Sequence, residues 1–178
     1  MLPIKIIQLP EHNDIKEELL DLIDQTHRYQ IDHNDSVTEQ VGPLTDWHNY
    51  EDEEVEEPLY YTRWRRVAED LILDTVQYEF KYRDAELTNY WYQQYHKTYE
   101  HGWHFHNMCF YHAIYYLELP ETAPGTMCRF PGGIEFTPNV KEGDILIMPS
   151  IVEHCSPPNK SRERKSIIAV NISQPEDD

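Results

Sequence analysis

Residues 101–120, HGWHFHNMCFYHAIYYLELP, combine four histidines with a run of aromatic and apolar side chains. Such a run is typical of a β-strand. Side chains two residues apart on a strand project from the same face, so His104 and His106 should point at one spot. Two imidazoles placed in this way can share a metal ion. The stretch therefore predicts a strand that supplies part of a metal site.

A third ligand has to come from elsewhere in the chain, because a single strand cannot surround an ion. Residues 143–159, GDILIMPSIVEHCSPPN, supply a candidate. Gly143 predicts a turn, the apolar residues after it predict a buried strand, and Pro149 should end that strand. His154 then falls on the next strand, which an antiparallel jelly roll would place beside the first pair. The histidine pair and the Gly143–Pro149–His154 pattern together are a more specific signal of a metal site than either pattern alone.

Two helices are predicted before this region. Apolar residues recur at helical spacing in residues 14–28, where Asp14 and Glu17 form a candidate capping box. A longer amphipathic helix is predicted over residues 63–82. The preceding residues 31–58 lack periodicity and include the run EDEEVEEP, which predicts a solvated acidic loop.

The residues after the second helix have a different pattern. Short runs rich in Tyr, Val, Ile and Phe alternate with turn residues as far as residue 173. Helices followed by consecutive strands predict an α+β fold, with an antiparallel jelly roll buttressed by N-terminal helices. We expect one domain over 1–178, in which 1–87 form a helical support with the acidic loop and 88–173 form the jelly-roll core.

Composition excludes several classes of function. The 178 residues contain 15 Lys and Arg against 33 Asp and Glu, a formal charge of −18 that disfavours nucleic-acid binding. Three cysteines at irregular spacing predict buried thiols and no disulfide framework. The first residues show no signal-peptide pattern and no segment is long and apolar enough for a membrane span, so we expect a cytoplasmic protein.

At His104, His106 and His154, and in the strands around them, the sequence resembles the double-stranded β-helix superfamily. Within it, the likeness is to the iron(II) and 2-oxoglutarate-dependent oxygenases of the prolyl-hydroxylase-like and phage types. IYYL (114–117) is similar to the strand that follows the metal motif in prolyl hydroxylases. This likeness implies that Tyr116 contacts 2-oxoglutarate. Arg164 and Ser166 match the family's Arg–x–Ser pair for the distal carboxylate, and Tyr95, nine residues before His104, matches a further co-substrate tyrosine. The likeness covers about residues 88–173.

The resemblance implies an enzyme with iron(II) at His104, His106 and His154, with 2-oxoglutarate as co-substrate and dioxygen as oxidant. It would hydroxylate a C–H bond of a small-molecule or peptide substrate. The far carboxylate of 2-oxoglutarate would lie in a low-dielectric barrel, where an unpaired charge is costly. A guanidinium with hydroxyl donors is a suitable partner for it.

The sequence departs from the family at His106, where the usual motif has Asp or Glu. Three imidazoles lack the negative charge of the usual ligand set, which should weaken metal binding and alter the redox potential of the iron. Neither Glu100 nor Glu153 is placed to substitute. Two alternative functions therefore stay open: a three-histidine cupin-type dioxygenase that does not use 2-oxoglutarate, and a jelly-roll binding module without turnover.

Two residue assignments also stay open. Lys165 is adjacent to Arg164, and counting back from Asn171 by strand alternation would choose the lysine as the cation that faces the barrel. His112 has the same strand parity as the proposed ligands and could line the floor of the pocket, although a packed core histidine is the simpler interpretation.

Overall fold

The computed structural model describes residues 4–32, 41–47, 56–107 and 109–175. These residues form two α-helices, α1 (His12–Gln25) and α2 (Leu59–Phe80). They also form eleven strands: β1 (Lys5–Gln8), β2 (Tyr29–Asp32), β3 (Val41–Thr45), β4 (Glu86–Tyr95), β5 (His101–His104), β6 (Tyr111–Glu118), β7 (Met127–Arg129), β8 (Glu135–Phe136), β9 (Asp144–Pro149), β10 (Glu153–Ser156) and β11 (Lys165–Ser173). None of the helices within these ranges is long and apolar enough to cross a membrane.

Both predicted helices are present, with earlier starts than expected. Helix α1 begins at His12, and its first-turn N–H groups bond the carbonyl of Glu11 without a side-chain cap. The predicted capping box at Asp14 is therefore wrong, because Asp14 already lies inside the first turn. Helix α2 begins directly after Pro58, whose restricted φ suits a helix start. The helix ends at Phe80, and the next residue, Lys81, adopts a left-handed conformation with φ 61°.

The strands form two antiparallel sheets. The larger has the order β1-β9-β6-β11-β4-β3-β2 and the smaller has the order β5-β10-β7-β8. After β4 the chain crosses repeatedly between the sheets: β6, β9 and β11 belong to the larger sheet, and β5, β7, β8 and β10 to the smaller one. The two sheets face one another across a shared apolar core. Gly143 makes the predicted turn into β9 with φ +85°, a conformation that glycine adopts without steric cost.

The prediction of a loop over residues 31–58 is partly wrong. Strands β2 and β3 fall within or beside this range and extend the larger sheet, with Leu44 and Thr45 of β3 paired to β4. Gly42 and Pro43 are turn-forming residues locally, but pairing with β4 overrides that preference. Residues 33–40 and 48–55, which include most of the acidic run, lie outside the described residues.

The larger sheet separates two apolar cores. Its outer face packs against both helices, as in the contact between the rings of Trp64 on α2 and Tyr115 on β6. Its inner face, which carries Ile114 and Tyr116, packs against the smaller sheet. Alternation of side chains along each strand explains this division. The predicted α+β class, with strands buttressed by N-terminal helices, is confirmed.

Candidate metal centre

Three histidines converge between the two sheets. His104 ends β5 and is directly opposite His154 of β10 in the antiparallel register. His106 follows β5, and its backbone N–H donates a hydrogen bond to the carbonyl of Ser150 at 3.4 Å. One nitrogen from each of the three rings lies within 4.8 Å of the others. The structure thus brings the three expected ligands together, and within the described residues this cluster contains no carboxylate.

The Nδ1 atoms of all three rings are held by oxygen acceptors of the protein. Nδ1 of His106 donates to the side-chain oxygen of Asn171 at 2.6 Å, in a buried hydrogen bond. Nδ1 of His104 donates to the carbonyl of Gly102 at 2.8 Å, and Nδ1 of His154 to that of Val152 at 3.4 Å. These bonds select the tautomer in which each Nε2 is unprotonated, the form that binds metal ions.

The surroundings favour the neutral form of the two buried rings, His106 and His154. Burial lowers the pKa of His106 to about 4, an effect that its hydrogen bond to Asn171 partly offsets and the neighbouring His104 increases. Burial, together with the adjacent imidazoles, lowers the pKa of His154 well below its usual value. Neutral imidazole is the ligand form of histidine, so the site is ready for a metal ion at neutral pH.

A fourth imidazole lies beneath the three. The ring of His112 on β6 is fully buried and stacks on those of His106 and His154, with centroid distances of 4.2 and 4.6 Å. Neither of its nitrogens has a hydrogen-bond partner among the described residues. His112 does not belong to the group whose ring nitrogens converge. It therefore forms the floor of the site, the role that strand parity allowed for it.

A small cavity of about 20 Å³ adjoins the three histidines. Its walls come from alternate residues of two neighbouring strands: Trp91, Gln93 and Tyr95 on β4, and Lys165, Ile167 and Ala169 on β11. The period of two along each strand explains why these residues, rather than those between them, face the cavity.

Lys165 is the cation of this cavity. Its side chain is only 1% exposed, and Nζ donates hydrogen bonds to the carbonyl of Pro124 at 3.0 Å and to Oγ of Ser156 at 2.9 Å. Nζ also lies 5.0 Å from the centre of the Tyr95 ring. Burial lowers the pKa of Lys165 to about 7, although the nearby Cys155 raises it slightly. No carboxylate of the described residues forms an ion pair with it.

Arg164 and Ser166 lie on the opposite side of the sheet from the cavity. Nε of Arg164 donates to a carboxylate oxygen of Glu118 at 2.7 Å, and its Nη1 lies 3.4 Å from the carboxylate of Asp24 on α1. The hydroxyl of Ser166 donates to the same Glu118 carboxylate. The expectation that this pair faces the barrel is therefore corrected, because alternation along β11 turns Lys165 inward and its two neighbours outward.

The two expected co-substrate tyrosines are both buried on the inner side of the sheet. Tyr95 lines the cavity and donates a hydrogen bond to the side-chain oxygen of Gln93 at 2.5 Å. The hydroxyl of Tyr116 donates to Oγ1 of Thr126 at 2.7 Å, and Thr126 in turn lines the cavity. Tyr116 thus reaches the cavity wall through a threonine.

Four site residues were not singled out from the sequence: Gln93, Thr126, Ser156 and Asn171. Strand parity could have found two of them, because Gln93 is two residues from Tyr95 and Asn171 is six residues from Lys165. Thr126 and Ser156 approach the cavity from strands of the smaller sheet or the segment before them. No local sequence pattern marks either one.

Comparisons with known proteins agree with this architecture. No protein-family model matches the sequence, and no curated protein matches it. Solved structures do match. The α-ketoglutarate-dependent epimerase SnoN of nogalamycin biosynthesis superposes with a TM-score of 0.73 at 9% identity, over 97% of this chain and 78% of that one. A prolyl-4-hydroxylase from Pseudomonas putida superposes with a TM-score of 0.66 at 15% identity, over 98% and 94% of the two chains.

A third match is the viral collagen prolyl hydroxylase of Paramecium Bursaria Chlorella virus-1, solved with 2OG, with a TM-score of 0.62 at 12% identity over 97% of this chain and 96% of that one. Identities this low establish similarity of fold and leave the reaction to be argued from the site. The two facing antiparallel sheets, the histidine cluster between them and these superpositions together show that the chain has the double-stranded β-helix fold of the 2OG-Fe(II) oxygenases.

Proposed function

We propose that the chain is a non-haem iron(II) and 2-oxoglutarate-dependent dioxygenase that hydroxylates a C–H bond of a second substrate. In the balanced reaction, one dioxygen supplies one oxygen atom to the substrate and one to succinate, and 2-oxoglutarate loses carbon dioxide. The single observation that carries the proposal is the buried Lys165, which has no carboxylate partner among the described residues and shares a cavity with three converging histidines.

The donor atoms fit an iron(II) ion. His104, His106 and His154 would hold it, since neutral imidazoles with their Nδ1 atoms already bonded are suitable ligands for iron. When bound, the metal would supply the activation of dioxygen. Three protein ligands leave coordination positions open for a chelating co-substrate, as non-haem iron oxygenases require.

The far end of the cavity fits a carboxylate. Lys165 is a point charge in a low-dielectric wall, where an anionic partner offsets the cost of burying it. Ser156 orients the ammonium, and Thr126, backed by Tyr116, offers a hydroxyl on the same wall. A dicarboxylate with one end at the histidines and the other at Lys165 matches this arrangement. The apolar side chains of Trp91 and Ile167 would exclude water from its middle.

The test uses the full chain, freed of metal and reloaded with iron(II) under nitrogen. We expect 2-oxoglutarate to bind with a visible charge-transfer absorption that grows to a stoichiometry of one. Lys165→Met should weaken this binding at least about tenfold through the loss of a buried charge pair. Arg164→Met is the matched control and should bind like the wild type. Under air, the wild type should release succinate. Equal binding by both variants, or no succinate from the wild type with bound 2-oxoglutarate, would count against the proposal.

His106 favours a second candidate, a three-histidine dioxygenase that uses no 2-oxoglutarate. A ligand set of three imidazoles at His104, His106 and His154 lacks the carboxylate of the usual oxygenase motif. In that case Lys165 would bind a carboxylate of the substrate itself. The two candidates separate in the same experiment, because this alternative predicts a metal-loaded protein that shows no charge-transfer absorption with 2-oxoglutarate.

A further inference from the structure

A groove of about 560 Å³ lies against the smaller sheet, with Arg129 of β7 and Glu153 of β10 in its lining. Phe105 and Ile151 line one wall, and both are largely exposed, at 52% and 54%. Phe130 also lines the groove, next to the Gly132–Gly133 turn between β7 and β8. Large apolar side chains exposed together around a concavity mark binding sites more often than a random surface does.

Each segment that lines this groove leads directly into the metal centre. Phe105 lies between His104 and His106, and Ile151 is three residues before His154. The remaining wall comes from β7, which is paired to the strand of His154. Phe105 and Glu153, which line the groove, are each adjacent in sequence to a histidine of the converging group, so the groove lies beside the candidate metal centre.

The charges at one end of the groove are unbalanced. Nε of Arg129 lies 2.7 Å from the carboxylate of Glu153, and its Nη1 lies 3.6 Å from that of Glu135. One guanidinium thus faces two carboxylates, which keep 40% and 49% of their side-chain surface exposed. This end of the groove favours a cation.

An aromatic surface borders the same carboxylates. The guanidinium carbon of Arg129 lies 4.3 Å from the centre of the exposed Trp103 ring, so this ring already binds one cation by its face. Phe130 stacks on Phe136 at 4.6 Å, which holds its ring in place. Aromatic faces beside carboxylates are the chemistry that recognises an alkylammonium group.

We propose that this groove binds a peptide segment that carries a lysine beside an apolar side chain, and that this segment is the second substrate. The claim that this segment is a substrate rests on the proposed oxygenase function, whereas the claim that it binds rests on the groove alone. The apolar side chain lies against Phe105 and Ile151, and the lysine ammonium lies between Glu153 and Glu135. A formal charge of −18 on the chain also steers a basic peptide toward the protein.

The test measures binding to the metal-free protein by calorimetry at low salt. The probes are three capped hexapeptides that differ only at one position, beside a leucine: lysine, norleucine or glutamate. We expect the lysine peptide to bind at least about fivefold more tightly than the norleucine peptide, through the cation–π and ion-pair contacts. The glutamate peptide should bind most weakly. Equal affinities for the three peptides, or no binding, would overturn the proposal.

Variants locate the binding. The double variant Glu135→Gln, Glu153→Gln should lose the preference for lysine over norleucine, whereas Phe105→Ser with Ile151→Ser should weaken both peptides alike. Glu79→Gln and Leu59→Ser are matched controls on helix α2, and both should bind like the wild type. Lysine-peptide binding that survives the groove variants would place it elsewhere and refute the assignment. Full competition by n-butylamine at equal concentration would equally refute a peptide ligand.

If the proposed oxygenase function is wrong but the groove assignment is right, these experiments give a different result. In that case the metal-loaded protein makes no succinate with any peptide, while the lysine preference and its loss in the groove variants persist. Failure of the groove assignment leaves co-substrate binding and its dependence on Lys165 intact.

Discussion

The side-chain oxygen of Asn171 accepts a hydrogen bond of 2.6 Å from Nδ1 of His106, across 65 positions of sequence. Asn171 occupies the place that a carboxylate or carbonyl often takes behind a metal-bound histidine. Its amide oxygen fixes the ring's tautomer and orientation without adding a charge. The neutral character of the histidine cluster thus extends to the residue that supports it.

Replacing Asn171 by leucine should lower the affinity for iron-group metals by about 10- to 100-fold, the usual cost of losing such a support. Asn171→Asp keeps the acceptor and should retain tight binding. Competition with a chromogenic chelator measures both affinities. A leucine variant that binds as tightly as the wild type would show that His106 does not depend on this bond for ligation.

The metal should require three of the four clustered imidazoles. His154→Ala removes a ligand and should abolish stoichiometric binding of cobalt(II), used as a spectroscopic substitute. His112→Phe keeps a stacked ring under His106 and should still bind one ion per chain, since His112 is outside the converging group. Metal analysis after gel filtration gives the number of ions bound per chain. Loss of the ion in the phenylalanine variant would make His112 a ligand.

Binding of 2-oxoglutarate should weaken as the pH rises. Burial lowers the pKa of Lys165 to about 7 from 10.5, so its ammonium is fully charged only below that value in the free protein. Above it, the co-substrate must bind together with a proton, and affinity should fall by up to about tenfold per pH unit until the pKa of the complex is reached. Titrations of the iron-loaded protein with 2-oxoglutarate between pH 6 and 9 measure this change in affinity.

Lys165→Arg is the control for this pH dependence, because a guanidinium stays charged throughout the range. The affinity of this variant for 2-oxoglutarate should vary little between pH 6 and 9, even if it is lower than that of the wild type. A wild-type affinity that is constant to pH 9 would contradict the role given to the lysine ammonium.

Asp46 should make the stability of the fold depend on pH. Its carboxylate is fully buried and accepts hydrogen bonds from the hydroxyl of Tyr60 at 2.6 Å and the backbone N–H of Tyr92 at 2.9 Å. Burial raises its pKa to about 6 from 3.8, against the opposing effect of these bonds. The protonated form is therefore favoured in the folded state. Its contribution is complete below about pH 3.8 and is lost as the pH rises through about 6.

Asp46→Asn removes this titration while keeping a hydrogen-bond acceptor. Relative to the variant, the wild type should lose about 2.5 kcal/mol of unfolding free energy as the pH rises from 4 to 8. Urea unfolding at several pH values measures the difference. A difference that does not change with pH would mean that Asp46 is charged throughout this range in the folded protein.

The histidine cluster could be predicted because its evidence is local. The spacing of His104 and His106 survives any reasonable placement of the strand, and Gly143 and Pro149 delimit the strand before His154. Turn residues and alternation act over a few positions, where sequence patterns are most informative. The α+β order of elements follows from the same kind of signal.

The anchor for a carboxylate was harder to predict, because a shift of one residue moves a strand's side chains to the other face. Arg164 matches a family pattern, yet Lys165 faces the cavity. The pairing of β11 with β6 contains an irregularity between Ser166 and Ile167, next to these residues. Alternation counted back from Asn171 does choose Lys165, but one irregularity within a strand is enough to reverse such a count, so the sequence leaves both residues open.

The sequence by itself determined the class of fold and the three histidines, since periodicity, turn residues and ligand spacing are properties of short segments. The tertiary structure decided which cation lies in the barrel, that Asn171 supports His106, and that Glu135 and Glu153 share one arginine at the mouth of a groove. These relationships join residues far apart in the chain. They depend on strand register and on the facing of two sheets, which only the packed structure establishes.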